Sequence, residues 1–543
     1  MAKHKMIYPT LAMALDAEYR TDDLKKLAGF ICPKVPTRKA DRIEAIVSTI
    51  FDDPKKVFDQ LSPLGQNAVS ETVHTWGGIF ERRMFAAMYS ASPWPRSENI
   101  YGVTWDLLHL FLINGHIPMD LLEKLKSIVP KPPDDEIDYI DDITEDDYFD
   151  EDCIVRETSR AALANLATLL NLVADKKIRV SAKTGRATAA TVRKLDDLLY
   201  DGDWYDDDEI GPMQSFAWPL LLQGGGLAKV DGSFLKLTPA GRKALKNDIA
   251  GGIKTAWKKW EKTKIIDEFS RVTAIKGQKS NRGRTMTSLV KRRPMINMLL
   301  EDLQPGRWID LDELARVMQT TSLYSFDMVN YGWKLYFLDQ HYGHLDYHDT
   351  WPLLQFRYLL VYLFEYCATL GIVDVVYKDP QGARSSDYSS CWGTDELSFL
   401  SHCDGLQYVR VNDLGAFALG RTDEFEVKND NIDLFAFEGS DLLFIGDGTI
   451  PPGQALYLEK IAERKEVDRW RLSASSLLAA IYGGESLAEI KMMLGDASAD
   501  SFSKEVEQLF KDVEQRSTAF VDVGKTTLIE CGSEFRKQAL THK

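Results

Sequence analysis

Near the start of the chain, hydrophobic residues recur at helical spacing in two stretches separated by prolines. These residues are Leu24, Leu27 and Ile31, followed by Ile43, Ile46, Val47 and Ile50. Residues three and four apart lie on one face of a helix, so each stretch predicts an amphipathic helix. The proline-containing stretch between them cannot continue a helix. Residues 22–51 are therefore predicted to form a helix, an extended link and a second helix.

This arrangement resembles the SAP-type helix–extended–helix module, whose second helix often touches the DNA backbone. The resemblance places the module within residues 1–60 and assigns DNA contacts to Lys34, Arg38, Lys39 and Arg42. Short helices with aromatic anchors, as in "VHTWGGIFERRMFAAMY", are predicted for residues 61–133. The prolines of "VPKPPDD" end that helical region.

Residues 153–262 combine helical periodicity with a hairpin signal. The stretch "SRAALANLATLLNLVADKKIRV" predicts a helix, and a glycine-containing turn leads to a second helix that begins at Thr188. After an aromatic-rich link, "LAKV" and "FLKL" flank Asp231-Gly232, which favours a hairpin. This order resembles a winged helix, in which the second helix can enter the major groove while the hairpin lies along the backbone.

A looser second copy is predicted within residues 263–430. It comprises two helices in "RRPMINMLLEDLQPGRWIDLDELARVM", a buried helix that runs into a strand in "FRYLLVYLFEYCATLGIVDVVYKD", and a returning strand in "LQYVRVNDLGAFALG". Two winged-helix-like units in tandem are therefore expected. Such units also serve as protein–protein adaptors, so the pattern leaves DNA binding and protein binding open.

Charge is distributed unevenly along this chain, whose formal net charge is -16. Residues 134–152 hold twelve carboxylates and no base, which leaves the remainder close to neutral. This acidic segment is predicted to be a solvated linker. The alternative is an intramolecular DNA mimic that covers a basic face. The net charge argues against a protein that coats nucleic acid with its whole surface, but it permits a local basic face.

Two basic stretches are the candidates for that face. The first winged-helix-like unit supplies Lys183, Arg186, Arg193 and Lys194. Residues 271–293 contain no acid, and their candidate contacts are Lys276, Lys279, Arg282, Arg284, Lys291, Arg292 and Arg293. Lysine and arginine side chains release counterions from DNA when they neutralise phosphates, so we predict that these residues bind DNA. A basic loop neutralised by the acidic segment, or by carboxylates of a partner, is the other interpretation.

Several kinds of chemistry lack support in the sequence. The six cysteines (Cys32, Cys153, Cys367, Cys391, Cys403 and Cys531) form no C-x-x-C pair, so reduced thiols in a cytoplasmic protein are expected rather than a disulfide framework or a zinc site. No stretch approaches the length of a membrane span. The apolar part of the N-terminus is short and contains Pro9, which argues against a signal peptide.

The stretch "AFVDVGKTTLIECG", residues 519–532, matches a loose nucleotide-binding pattern. A phosphate-binding loop needs a glycine-rich turn that leads into a helix. Here the spacers are Phe520, Val521, Asp522 and Val523, which favour a strand and include a carboxylate that would repel phosphate. We therefore predict a strand pair in place of a nucleotide site. No cofactor and no catalytic activity are expected.

A histidine cluster offers one further candidate for metal chemistry. The stretch "HYGHLDYHD" contains His341, His344, His348 and Asp349, and two histidines four apart could share a helix face and bind zinc. No glutamate stands between His344 and His348 to act as a base, and the following "DTWP" suggests the end of a loop. Surface histidines are the preferred interpretation, and a metal-dependent nuclease remains as an alternative.

Residues 431–543 alternate between predicted strands and helices, and they resemble the N-terminal, non-motor domain of XPB-type DNA helicases and its bacterial stand-alone relatives. The matching residues are Trp470, Arg471, Leu472, Ser476, Leu477, Ala480, Gly483, Gly484, Ile490, Leu494, Val506, Leu509 and Asp512. In this family the Gly-Lys-Thr stretch corresponds to a terminal strand pair. The chain departs from the family before the last helix, where Ser501-Phe502-Ser503 replaces the usual proline.

Together these patterns predict a mainly helical α+β protein with tandem winged-helix-like units and a C-terminal α/β domain like the XPB helicase N-terminal domain. The resemblance implies a non-catalytic protein that binds DNA and is accessory to a helicase or nuclease, in bacterial DNA repair or phage defence. The alternative is a protein–protein scaffold that docks such a partner without touching DNA.

Overall fold

A computed structural model of the chain describes residues 8–95, 103–133, 136–141, 152–279, 285–330, 333–426, 434–446, 452–483, 485–496 and 501–517, with Ile450 and Ser498. About 48% of the chain is helix and 12% is strand, which confirms a mainly helical α+β fold. Contacts divide the chain into two compact units, and each is built from two separate stretches. Unit 1 comprises 1–159 with 257–421, and unit 2 comprises 160–256 with 422–543. No helix in the described residues is both long and apolar enough to cross a bilayer.

The N-terminal part of unit 1 is a helical module with its own apolar core. Its helices are α1 (Leu11–Glu18), α2 (Thr21–Ile31), α3 (Lys39–Asp52), α4 (Pro54–Phe58), α5 (Pro63–His74), α6 (Arg82–Tyr89) and α7 (Met119–Leu125). α2 and α3 with the link between them confirm the predicted helix, link and helix. Proline at the first position of α4 and α5 suits a helix start, because the amide hydrogen it lacks has no partner there.

Within this module, Arg42 is structural. Its side chain is only 7% exposed and donates to the backbone oxygens of Pro36 and Thr21, at 2.6 and 2.7 Å. Lys39 pairs with Asp16 at 2.8 Å. The expectation that Arg42 contacts DNA is therefore wrong, because its guanidinium fixes the link against α2.

Strand β1 (Ile154–Arg156) belongs to unit 1, and the first stretch of unit 2 follows it. The elements of this first stretch of unit 2 are α8 (Ser159–Ala174), α9 (Ala189–Asp196), α10 (Gln214–Gly224), β2 (Ala228–Asp231), β3 (Phe234–Leu237), α11 (Pro239–Asn247) and α12 (Ile249–Trp260). The last residues of α12 belong to unit 1. The predicted hairpin is confirmed, and Gly232 takes the positive φ of +63° that a type II′ turn requires at its first central position. Residues 178–180 lie along the other edge of β3, with Val180 donating to the Ser233 oxygen at 2.9 Å.

Helix α10 lies in the stretch that was expected to be an aromatic-rich link. Its sequence, "QSFAWPLLLQG", is apolar around most of its circumference and contains Pro219, so no polar stripe reveals the helical period. A helix of this kind is found in an interior, and the side chains from Ala217 to Leu222 are indeed buried.

The second stretch of unit 1 builds an antiparallel sheet around a buried helix. Its elements are α13 (Leu289–Asp302), β4 (Trp308–Asp310), α14 (Leu311–Thr320), α15 (Arg357–Val361), β5 (Val373–Tyr377), β6 (Leu406–Val411) and α16 (Asp413–Leu419). The strand order is β1-β5-β6-β4. π-helical turns, Pro352–Phe356 and Tyr362–Ala368, extend α15 at both ends, and every residue from 356 to 377 is buried. The predicted buried helix that leads into a strand is confirmed.

Part of the acidic segment is docked on this sheet. Ile140 and Trp308 exchange two backbone hydrogen bonds of 2.9 Å, which places residues 136–141 beside β4. The expectation of a solvated linker is therefore wrong for these six residues. Within the described part of the chain, these six residues contact Gln304, Arg307, Trp308, Glu313 and Arg316, none of which is a predicted DNA-contact residue.

The second stretch of unit 2 contains a separate antiparallel sheet of order β7-β8-β10-β9. Its elements are β7 (Phe435–Glu438), β8 (Asp441–Phe444), α17 (Pro452–Ile461), β9 (Ala462–Glu466), β10 (Arg469–Leu472), α18 (Ala474–Tyr482), α19 (Leu487–Asp496) and α20 (Lys504–Ser517). The predicted helices α17 to α20 are confirmed, except that Trp470 lies on β10 and α18 begins after Ser473. The Gly-Lys-Thr stretch, residues 519–532, lies outside the described residues.

Candidate nucleic-acid interface

The first predicted basic stretch lies on a turn that backbone hydrogen bonds hold in a fixed shape. Ser181 N donates to the Arg186 oxygen and Gly185 N donates to the Ser181 oxygen, both at 2.8 Å. Gly185 has φ +68°, and a Cβ atom there would stand 2.6 Å from Gln223 Oε1. Gln223 in turn donates to the Gly185 oxygen at 2.8 Å. Only glycine fits this position, so the turn presents its side chains from a defined backbone.

Four predicted bases are exposed on this turn and on the helix that follows it. Lys183 and Arg186 lie on the turn, and Arg193 and Lys194 lie on α9. The Thr188 hydroxyl accepts the Thr191 amide at 3.3 Å and begins α9. No ion-pair partner for the four side chains exists among the described residues. Their positive charge is therefore available to an anionic ligand.

The adjoining strands add bases that the sequence interpretation did not include. Lys229 lies directly opposite Lys236 in the hairpin, and Arg179 is bridged to Phe234. All four side chains are exposed, and 37% of the Phe234 surface is accessible. The alternation of "LAKVDGSFLKL" could have revealed Lys229, Phe234 and Lys236, because successive strand residues point to opposite faces. We call the eight residues the basic surface of unit 2: Arg179, Lys183, Arg186, Arg193, Lys194, Lys229, Phe234 and Lys236.

The connection between α9 and α10 has the opposite charge. Residues 196–209 hold eight carboxylates and no base. Asp203 caps α10 by accepting the amides of Met213 and Gln214 at 3.0 and 2.8 Å. Burial and the neighbouring Asp203 carboxylate raise the pKa of Asp196 to about 6. The connection would repel phosphates, and α10 carries no base to offset that repulsion.

Arg292 and Arg293 are not on the surface, which corrects their assignment as DNA contacts. Both side chains are 0% exposed. Arg292 contacts Asp267 through two nitrogens, at 2.6 and 3.1 Å. Arg293 Nε lies 2.7 Å from Oε1 of Glu268. The stretch 271–293 contains no acid, so counting its charges could not reveal these ion pairs. The neutralising carboxylates, Asp267 and Glu268, lie just before the stretch.

The other bases of this stretch have mixed positions. Lys276, Lys279 and Lys291 are exposed, and Lys276 Nζ donates to the Thr273 oxygen at 2.7 Å. Arg282 and Arg284 lie outside the described residues. Among the described residues, unit 2 therefore presents more exposed bases without a carboxylate partner than this connection does.

One buried cluster in unit 1 has the composition of a metal site. Glu365, His402 and Cys403 are the single group of three potential ligands that the described residues bring together within 4.8 Å. However, the Arg271 guanidinium lies 2.7 Å from the Glu365 carboxylate, and His402 Nε2 lies 2.8 Å from it. Burial raises the pKa of the Cys403 thiol well above its usual value, so the thiolate that a metal requires is disfavoured. The arginine already supplies the positive charge that a metal ion would bring.

The histidines of the stretch 341–349, for which zinc binding was the alternative interpretation, do not converge on one point. His341 lies 3.9 Å from Asp339, whereas His344 contacts Asp346 at 2.6 Å and stacks on Trp333. Within the described part of the chain, no metal-like group includes these histidines or Asp349. The ion pairs and the ring stacking give two of the histidines ordinary structural partners.

Comparison with known proteins adds no assignment. No family model matches the chain, and no curated protein is significantly similar to it.

Proposed function

We propose that the protein is a non-catalytic nucleic-acid-binding protein that contacts the phosphate backbone through the basic surface of unit 2. The arrangement of helix, short strand, two helices and hairpin in residues 160–237 supports this proposal, because it is the order of a winged helix. The order recurs in residues 289–411. In the resembled fold, the hairpin lies along the backbone, and here the hairpin carries Lys229 and Lys236.

The proposed contact differs from groove reading by a recognition helix. In unit 2 the helix just before the hairpin is α10, which is apolar and buried and follows an acidic connection. In unit 1 the corresponding helix spans residues 352–368 and is also buried over most of its length. Neither helix offers a row of polar side chains to base edges, so binding through phosphates, without strong sequence preference, follows.

The single observation that carries the proposal is the group of exposed bases without carboxylate partners on a fixed turn and α9. The test replaces Lys183, Arg186, Arg193 and Lys194 together by glutamate and measures binding to labelled DNA by fluorescence anisotropy at low salt. We expect the affinity to fall by at least ~100-fold, since each lost phosphate contact also removes counterion release. A matched control changes four exposed lysines of unit 1, Lys55, Lys56, Lys124 and Lys126, and should retain most of the affinity.

A variant that binds as tightly as the unmodified protein would exclude this surface. If neither protein binds DNA under any salt condition, the protein–protein scaffold would be the better function. That second candidate is favoured by the buried helices that precede the antiparallel strand pairs β2-β3 and β5-β6, which suit an adaptor. Circular dichroism and thermal melting of each variant would establish that the reversals act on binding and leave the fold intact.

We further propose that the C-terminal stretch docks a helicase or nuclease. Support comes from the resemblance to the non-motor domain of XPB-type helicases and from the order of the helices α18 to α20, which follows the predicted pattern. Where the family usually has proline, Ser503 accepts the Val506 amide at 3.1 Å and begins α20. Affinity purification from the native host with mass spectrometry tests this proposal, and a co-purifying ATPase is the expected result.

A further inference from the structure

Residues 136–141, "EIDYID", which we call the acidic strap, occupy the open edge of the sheet in unit 1. Ile140 is paired with Trp308 through two hydrogen bonds of 2.9 Å. β4 is the last strand of the order β1-β5-β6-β4, so without the strap its outer edge has no strand neighbour among the described residues. An unpaired edge of this kind is a template for another extended chain.

Side-chain contacts give the strap a defined register on this edge. The Arg307 guanidinium lies 4.9 Å from the centre of the Tyr139 ring, and its Nε is 2.5 Å from the Asp141 carboxylate. The Tyr139 hydroxyl accepts the backbone amide of Gln304 at 3.1 Å. One arginine therefore recognises an aromatic ring and a carboxylate two residues further along an extended chain.

Two residues of α14 contact the backbone of the strap. Arg316 donates to the Glu136 oxygen at 3.1 Å, and Glu313 accepts the Asp138 amide at 3.0 Å. Arg316 is also held by Glu313 at 2.6 Å. A carboxylate that accepts a backbone amide suits a peptide and would repel the phosphates of a nucleic acid. The chemistry of this edge thus favours a polypeptide.

The strap is held by contacts that a competitor could replace. The Asp141 side chain is 78% exposed, and ion pairs in such surroundings contribute little to stability. A single backbone pair joins the strap to β4.

We propose that the β4 edge, with Arg307 and Arg316, is a docking site for an extended segment of a partner protein. That segment would carry an aromatic residue, an apolar residue and a carboxylate in succession. The acidic strap occupies the site within the chain and excludes the partner until it is displaced. Strand addition at a sheet edge is a common mode of peptide recognition, in which backbone bonds give affinity and side chains give specificity. This proposal is independent of nucleic-acid binding by unit 2.

The test releases the strap and offers it back as a separate peptide. In the full-length double variant Tyr139→Ala, Ile140→Pro, the ring is removed and the amide that donates to Trp308 is lost. A fluorescein-labelled peptide of residues 134–143, "DDEIDYIDDI", is titrated into the unmodified and the double-variant protein. We expect the variant to bind at least ~10-fold more tightly, because the intramolecular strap competes at a high effective concentration in the unmodified protein.

Two controls define the outcome. The same peptide with the tyrosine and the second isoleucine changed to alanine and proline should not bind, and adding Arg307→Glu to the released variant should abolish binding. Absence of binding to a variant whose circular dichroism is unchanged, or equal binding to both proteins, would overturn the proposal. A strap-dependent dimer of the unmodified protein in light scattering would also overturn it, because a second copy would then be the occupant.

Discussion

Arg293 and Glu268 form an ion pair in which neither side chain is exposed to solvent, with Nε of the arginine 2.7 Å from Oε1 of the glutamate. The same guanidinium donates to the backbone oxygens of Thr263 and Ile266. Burial raises the pKa of Glu268, while the Arg293 charge opposes that shift. The pair thus joins the segment around residue 268 to α13 in the interior of unit 1.

Removing one member of this pair should destabilise unit 1 strongly. Arg293→Met leaves the Glu268 carboxylate buried without its countercharge, and we expect a loss of about 3–5 kcal/mol in the free energy of unfolding. Urea unfolding followed by circular dichroism measures the change. The neighbouring exposed Lys291→Met is the matched control and should change stability by less than about 0.5 kcal/mol. A small effect at Arg293 would contradict its buried position.

The turn that presents Lys183 and Arg186 should depend on glycine at position 185. Gly185→Ala forces a side chain into a positive φ and against Gln223, whose amide is anchored to two backbone oxygens. We expect a loss of about 2–3 kcal/mol, from a left-handed conformation and one or two weakened hydrogen bonds. Thermal unfolding measures it.

Gly232→Ala is the natural comparison, because Gly232 has a similar φ of +63° and no atom within 4 Å of a Cβ there. The Gly232→Ala variant should lose only the stability that the left-handed backbone conformation costs, about 1–2 kcal/mol in the free energy of unfolding. If both variants lost the same stability, the contact with Gln223 would contribute nothing.

Protonation of Asp196 should stabilise unit 2 as the pH falls. The pKa of Asp196 is raised to about 6 from an ordinary value of 3.8, so the folded state binds this proton more tightly than the unfolded chain does. Stability from this group therefore increases as the pH falls from above 6 towards 4. Asp196→Asn should raise the melting temperature at pH 7.5 and flatten its dependence on pH over this range. An unchanged dependence in the variant would show that Asp196 does not cause it, and Asp208→Asn, which removes an exposed carboxylate of the same connection, is the control.

Local patterns predicted much of the secondary structure. Helical spacing identified α2 and α3, and the Asp-Gly turn identified the hairpin. Helix α10 was not predicted, because a helix that is apolar on nearly all sides has no amphipathic period. These successes all depend on residues that are close in the sequence.

The candidate site was only partly predictable, because residues distant in the sequence decide whether a basic side chain is exposed or buried. Lys183 and Arg193 are exposed, as a DNA contact requires, whereas Arg292 and Arg293 belong to the interior. Hydrophilic composition could not distinguish the two groups, because a buried arginine requires a carboxylate that the fold brings beside it. The strap was missed for the same reason, since Arg307 lies more than 160 residues from its partners Tyr139 and Asp141.

DNA binding by unit 2 should be steeply dependent on salt and almost independent of sequence. The exposed bases contact phosphates in the proposed mode, and each contact contributes a slope of about -0.9 in log affinity against log salt on duplex DNA. Single Lys183→Ala and Arg193→Ala variants should each make the slope shallower by about 0.9, and anisotropy titrations over a range of salt concentrations measure it. Lys55→Ala is the control, because Lys55 already pairs with Asp59 at 2.6 Å and lies on unit 1.

Two unrelated duplexes of equal length should bind within about threefold of each other, because α10 is buried and offers no side chains that can discriminate between base edges. A preference of ~1,000-fold for one duplex, which is the range of specific recognition, would mean that another element enters a groove. In that case Lys183→Ala would weaken binding to both duplexes equally, since a phosphate contact is the same on every sequence. A variant that leaves the ratio of the two affinities unchanged therefore removes a backbone contact, whereas a variant that changes this ratio removes a contact with bases.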